Sequence, residues 1–169
     1  IRDLRAVPGE GDAYRRRTEH VAALRDLREA VSLDPSATRP REVLGDVNSA
    51  LSRFERAAED YRAYLALDDR SPRVLYKLAL AYFRGGRPAE ALPPLRQAIA
   101  LDPRAAEAHY LLGLCLRATK PSEAIRALSR AVELNPSFTA AREALADTLS
   151  SIGRTREGFE QLEALAARI

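Results

Sequence analysis

Residues that carry chemistry are scarce in this chain. Cys115 is the single cysteine among 169 residues, so no intrachain disulfide can form. The two histidines, His20 and His109, cannot build a Cys/His cluster at metal-ligand spacing with one thiol. Long apolar runs are absent as well. None approaches the roughly 18 residues of a membrane helix, so no membrane insertion is expected. A surplus of one charge sign is missing too: 27 Lys plus Arg against 24 Asp plus Glu leave a net +3. A nucleic-acid module more often shows a dense patch of one sign. The nearest approach is Arg15-Arg16-Arg17, and no aromatic residues alternate with those arginines as in a single-strand binder. The run reads as a solvated helix end, with a phosphate contact as the alternative. Nucleic acid is therefore not the expected partner.

Catalysis needs converging groups, and the residues do not supply them. His20 falls at the start of a helix, and His109 falls on a packing face in register with Leu75. Cys115 follows Gly113 and Leu114 on an apolar helix and reads as a small core residue. Gly85-Gly86 precedes Arg-Pro without the Lys-Ser/Thr of a phosphate-cradling loop. The pairs Glu59-Asp60 and Asp68-Asp69 read as solvated surface. No enzyme activity, cofactor or metal is expected. Apolar residues make up 46% and charged residues 30%, which suits a soluble folded chain. The start, IRDLRAVPGEG, has neither a signal-peptide pattern nor an initiator Met. It reads as a piece of a longer chain or a processed product.

What the chain does have is a period. The stretches SLDPSAT, ALDDRSP, ALDPRAA and ELNPSFT recur, marked by Pro35, Asp69, Pro103 and Pro136 at intervals of 34, 34 and 33. Leu44, Leu78, Leu112 and Leu145 keep step. So do the small residues Gly45, Ala79, Gly113 and Ala146, and the small residues Ala23, Ala57, Ala91, Ala124 and Gly158. Leu27, Tyr61, Leu95, Leu128 and Leu162 form a large apolar column. Each unit reads as two helices. In the third the helices span about Arg73 to Arg84 and Ala89 to Leu101. Gly85 to Pro88 separates them and Asp102-Pro103 ends the second. Small residues belong where two helices cross, because a larger side chain would push the axes beyond the usual distance of about 8–10 Å.

This pattern resembles the tetratricopeptide repeat family. The third unit carries the family arrangement as Leu78, Ala79, Tyr82, Ala91, Leu95, Ala98 and Pro103. The fourth repeats it as Leu112, Gly113, Leu116, Ala124, Leu128, Ala131 and Pro136. The resemblance implies an all-α fold: a right-handed α-solenoid of helix-turn-helix repeats, with about four full repeats and a partial N-terminal one. Its expected units are approximately 4–37 (degenerate), 38–71, 72–104, 105–137 and 138–169, in one array. Several residues depart from the pattern. The fourth unit is one residue short, which predicts a tighter turn between its helices. Asn48 stands where the third unit has Tyr82, and Pro93-Pro94 sits inside a helix, where Pro94 frees a carbonyl and bends the axis. Pro8-Gly9 predicts a truncated first helix from about Asp12, although Gly11 and Tyr14 keep the register, then a full helix from Glu19 to Leu33. The last helix, about Thr155 to Arg168, carries Phe159, Leu162, Leu165 and Ile169 with no polar cap.

The segment YKLALAYFRGG, Tyr76 to Gly86, has two apolar stripes where a docked surface helix needs one. Leu75, Leu78, Ala79 and Tyr82 form the first, and Tyr76, Leu80 and Phe83 the second. The resemblance implies a concave groove lined by the first helix of each unit. The third unit then contributes Arg73, Tyr76, Lys77, Leu80, Phe83 and Arg84. The fourth contributes Tyr110, Leu114 and Arg117. Arg39, Glu42, Asp46 and Ser49 lie to one side, and Glu143, Asp147 and Ser150 to the other. An aromatic, basic centre suits a protein or peptide partner with an apolar anchor and acidic neighbours. The alternative is that Leu80, Leu114 and part of Tyr76 pack between neighbouring first helices. Some members of the family clamp a chaperone's terminal carboxylate with lysines and asparagines. Glu42 and Asp46 at the corresponding positions would repel one. Two other readings stay open: a homo-oligomer formed through the uncapped last helix, and a targeting appendage of an enzyme whose catalytic domain lies elsewhere.

Overall fold

A computed structural model of the chain describes residues 10–166, with side chains from 19 to 164. The described residues form helices and their connections, and the chain divides into two compact units, one ending at Asp69 and one starting at Arg70. The fold is an all-α helical repeat of the solenoid class. The first unit holds α1 (Glu10–Leu33), α2 (Thr38–Ala50) and α3 (Phe54–Leu65). The second holds α4 (Pro72–Arg84), α5 (Pro88–Leu101), α6 (Ala106–Leu116), α7 (Pro121–Leu134), α8 (Thr139–Ser151) and α9 (Thr155–Ala166).

α1 corrects one expectation. It is a single helix rather than a truncated helix followed by a second one. No glycine or proline occurs from Asp12 to Leu33, so nothing in that stretch stops a helix once it starts. Pro8-Gly9, and the side chains of Tyr14, Arg15, Arg16, Arg17, Leu165 and Ile169, lie outside the described residues.

The small columns sit where helices touch. Ala57, Ala79, Ala91 and Ala124 are fully buried, and Ala146 is nearly so. At Gly45 an added Cβ would overlap the Tyr61 ring. At Gly113 it would lie 2.5 Å from Leu128 Cγ, and at Gly158 2.8 Å from the Ala146 carbonyl oxygen. The large column supplies the opposing partners: Tyr61, Leu95 and Leu128 are at most 2% exposed. Polar cross-links in the first unit replace apolar packing. Asn48, buried where the third repeat has Tyr82, donates through Nδ2 to Asp60 at 2.7 Å, and the Tyr61 hydroxyl donates to Asp46 at 2.8 Å. Asp60 is thus a half-buried acceptor rather than solvated surface, and burial holds its carboxyl above the usual range.

Three of the turns within repeats share one closure. The amides of Ser52, Gly86 and Gly153 bond to Ser49, Phe83 and Ser150, and those of Arg53, Arg87 and Arg154 reach back to Asn48, Tyr82 and Leu149. This is the Schellman arrangement, which needs a left-handed residue just past the helix. Gly86 and Gly153 take φ of 76° and 83°, and Ser52 takes 57°. The fourth repeat lacks this closure. Its missing residue is lost from helix α6, and the connection over 117–120 is longer than 85–87, not tighter. There the Thr119 and Lys120 amides both turn back to the Leu116 carbonyl, with no left-handed residue. α5 runs unbroken through Pro93 and Pro94. Those prolines leave the Ala89 and Glu90 carbonyls without a helical amide, and both residues are exposed, so water can serve them.

These contacts set opposite signs for two substitutions. Ser52→Gly relieves a left-handed conformation at an exposed site and should raise stability by about 0.5–1 kcal/mol. Gly113→Ala gains about 1 kcal/mol of helix propensity. It overpacks fully buried Leu128, a typical cost of about 1–3 kcal/mol, and should be destabilising on balance. Urea unfolding of both variants checks the pair.

Candidate functional site

α4 starts with Pro72, whose fixed φ suits a first helical turn, after Ser71, whose hydroxyl accepts from the Val74 amide at 3.4 Å. Val74, Leu75, Leu78, Ala79 and Ala81 are buried. The second stripe, Tyr76, Leu80 and Phe83, is half-buried and packs on a core of Ala79, Ala91, Leu95, Ala108, Leu111 and Cys115. Lys77 is half-buried, while Arg73 and Arg84 are exposed. Arg73 and Lys77 each have further interactions. Tyr82, from the other stripe, lies under the Arg87 guanidinium at 5.0 Å from its ring centroid, and Arg87 in turn pairs with Glu90.

α6 touches α4 and adds the fourth repeat's residues. Tyr110 and Leu114 are half-buried and pack on Leu128, Ala144, Leu145 and Leu149. Arg117, exposed, follows the last residue of α6, where a cation suits the helix dipole. All nine expected groove residues therefore lie on α4, on α6 or at the α6 end. The outlying acidic residues differ among themselves. Glu143 and Asp147 are exposed on α8, but Glu42 is 6% exposed, and Asp46 accepts the Tyr61 hydroxyl.

Two hollows open along these helices. One, of about 280 Å³, is lined by Pro72, Tyr76, Ala98, Ala105 and Ala108, with the charged Arg73, Asp102 and Glu107. Burial and then the neighbouring Glu107 raise the Tyr76 hydroxyl above its ordinary pKa, so it keeps its proton at neutral pH. The other, of about 340 Å³, lies between the ends of α6 and α8 and is lined by Arg117, Ala118, Asp147, Thr148 and Ser151.

One partner of this surface escapes the periodic reading. Phe138, in the loop before α8, meets Tyr110 with ring centroids 4.8 Å apart and planes tilted by 53°. The corresponding loops hold Ala37, Ser71 and Ala105, so a large residue in a small column was the available signal. A mostly polar column, interrupted by Leu75 in the third repeat, also escaped. Arg41, His109 and Arg142 reach back to the carbonyls of Pro35, Pro103 and Pro136 at 2.8, 3.1 and 3.3 Å. His109 thus ties a loop to a helix, which accounts for its place on a packing face.

A sequence model described as tetratricopeptide repeat matches residues 9–73 and 76–120, and a second with the same description matches 107–137. No curated protein matches by sequence. Solved structures match along most of the chain. MamA from Desulfovibrio magneticus RS-1 is 24% identical with a TM-score of 0.84, over 90% of this chain and 86% of that one. YrrB, described as a TPR protein with an unusual peptide-binding site, is 22% identical with a TM-score of 0.78, over 91% and 80%. The first TPR of Spaghetti (RPAP3), bound to the HSP90 peptide SRMEEVD, is 23% identical with a TM-score of 0.66, over 69% and 93%. At these identities the likeness shows the fold.

Among the described residues, no three or more of His, Cys, Asp and Glu are grouped so as to hold a metal ion, and no helix is long and apolar enough to cross a membrane. Cys115 is 7% exposed, and burial pushes its thiol from 9.0 up to about 11. Native Cys115 should therefore react far more slowly with a thiol reagent at pH 8 than the same thiol in denaturant, as absorbance kinetics would show. The folded state favours the protonated thiol. This contribution to stability is complete below pH 9.0 and disappears as pH rises through about 11.

Proposed function

The chain belongs to the tetratricopeptide repeat family, and on that premise we propose that it is a non-enzymatic scaffold whose α4–α6 face binds a peptide segment with an apolar anchor and acidic neighbours. Family membership and the peptide-binding neighbours support an interaction scaffold. The observation that carries the finer reading is the composition of that face. Tyr76, Leu80 and Phe83 are half-buried, the exposed Arg84 follows Phe83 at the end of α4, and the exposed Arg117 follows α6. Half-buried aromatics offer large contact area with few rotors, and arginine takes carboxylates in a bidentate fork. Tyr110 contributes less as an open anchor than its sequence position promised, because Phe138 meets its ring. A chaperone tail is not the expected ligand, since Glu42 and Asp46 occupy the positions where carboxylate-clamping members carry lysine and asparagine.

A second reading has its own observation. Phe159 is 60% and Leu162 43% exposed on α9, an apolar pair that another copy of the chain would cover in a self-assembly module. Light scattering at micromolar concentration separates the two readings. The scaffold reading expects a monomer, and a dimer abolished by Phe159→Glu would favour self-assembly.

For a peptide selected from a random library, Tyr76→Ala or Phe83→Ala should each weaken binding by about 2 kcal/mol, as interface anchors do. Arg84→Glu should weaken binding in a salt-dependent way. Calorimetric titration checks all three, and folded variants with unchanged affinity would place the binding surface elsewhere.

A further inference from the structure

The hollow beside Tyr76 has a filled copy one repeat later. Stepping its walls along the repeat takes Tyr76 to Tyr110, Ala98 to Ala131 and Ala108 to Ala141. These are the same residue types. Ala105 becomes Phe138, the one wall that gains a ring, while Pro72 becomes Ala106 and the charged rim residues Arg73, Asp102 and Glu107 become Glu107, Asn135 and Ala140. The backbone is alike at the two positions: φ and ψ are −70° and 93° at Ala105 and −76° and 80° at Phe138, each the residue before its helix. A Cβ at residue 105 therefore points as it does at residue 138. In the later copy the Phe138 ring meets the Tyr110 ring at 4.8 Å. In the earlier copy a methyl stands in its place, and about 280 Å³ stays open beside Tyr76.

Resting on the peptide-binding reading above, we propose that this hollow receives an aromatic side chain, of the phenylalanine kind, from the partner segment. The partner's ring would take the place that Phe138 takes in the next repeat and meet Tyr76 edge-on or tilted. The scale fits a single side chain: the hollow is smaller than the roughly 300–1,000 Å³ of pockets that enclose a drug-sized molecule. Its walls are ring and methyl carbon from Pro72, Tyr76, Ala98, Ala105 and Ala108. The charged Arg73, Asp102 and Glu107 are all exposed, so they can meet the polar backbone and flanks of the segment while the ring is covered. The same surface thus acquires an address for the anchor and leaves Arg84 and Arg117 for the acidic neighbours.

Ala105→Phe tests this with the whole chain, because it supplies the ring internally. If the hollow accepts a ring as its copy does, the variant should melt about 2–4 °C higher, the gain expected of one added aromatic pair. Peptides selected from a displayed random library on the unaltered chain should share a Phe or Tyr position. The variant should bind them about thirtyfold more weakly, the loss of one anchor. Ala105→Ser, which supplies no ring, should leave peptide affinity unchanged, although its hydroxyl can cap α6 as Ser71 caps α4 and raise the melting temperature by that separate route. A lowered melting temperature for Ala105→Phe, with Ala105→Leu lowered as well, would overturn the proposal by showing that the hollow does not take a side chain. So would selected peptides without an aromatic position, or full affinity in a stable Ala105→Phe chain. In those cases the groove reading survives if Phe83→Ala or Arg84→Glu still weakens the peptides. If no selected peptide responds to any change on α4 or α6, or none is selected at all, both readings fail.

Discussion

The close approach of paired helices at a glycine or an alanine is the contact on which this structure depends. At Gly113 there is no room for one more carbon beneath Leu128, and at Gly45 none beneath the Tyr61 ring. Dispersion and apolar burial both gain from such contact, but only while the crossing residue stays small. Because the requirement recurs in every repeat, it fixes which stripe of each helix faces its partner. It thereby fixes which stripe is left over. On α4, Leu78 and Ala79 go to the crossing, and Tyr76, Leu80 and Phe83 form the neighbouring stripe, which packs on the same core and is only half covered.

That leftover stripe is neither pure core nor open surface. Each of its residues rests on a core cluster and still keeps part of its area, so a ligand bound there as proposed would meet side chains already held in place. Such pre-organisation lowers the entropy lost on binding. The repeats then differ in how much of this surface they use themselves. The fourth covers Tyr110 with its own Phe138, whereas the third leaves the equivalent place beside Tyr76 open. In the first unit Tyr61, Asp46, Asn48 and Asp60 are joined by hydrogen bonds, which turns residues that look available into structural ones.

Whatever repeats was legible in the sequence. The leucine, small and large columns, the helix breaks at Gly85 to Pro88 and at Asp102-Pro103, and the register of the α4 and α6 faces all follow from one spatial demand imposed many times. What occurs once was not legible. The missing residue of the fourth repeat shortens a helix rather than its turn, because the Leu116 carbonyl can close that turn without a left-handed residue. α1 runs through a stretch that the repeat pattern would have interrupted, since no local breaker competes with helix formation there. Asn48 and Asp60 are partners only because two helices bring them together from twelve residues apart. Phe138 could be seen as an outlier in its column, but the ring it meets depends on packing between a loop and a neighbouring helix.

The central claim is that helix crossing uses one stripe of α4 and leaves the other as the binding face. An NMR titration of the isotopically labelled chain with a selected peptide tests it most directly. Binding on that face predicts the largest amide shifts at Tyr76, Leu80 and Phe83, with further shifts near Ala105 and Tyr110. Shifts confined to α9 around Phe159 and Leu162, or to the outer sides of α5 and α7, with α4 unchanged, would contradict it.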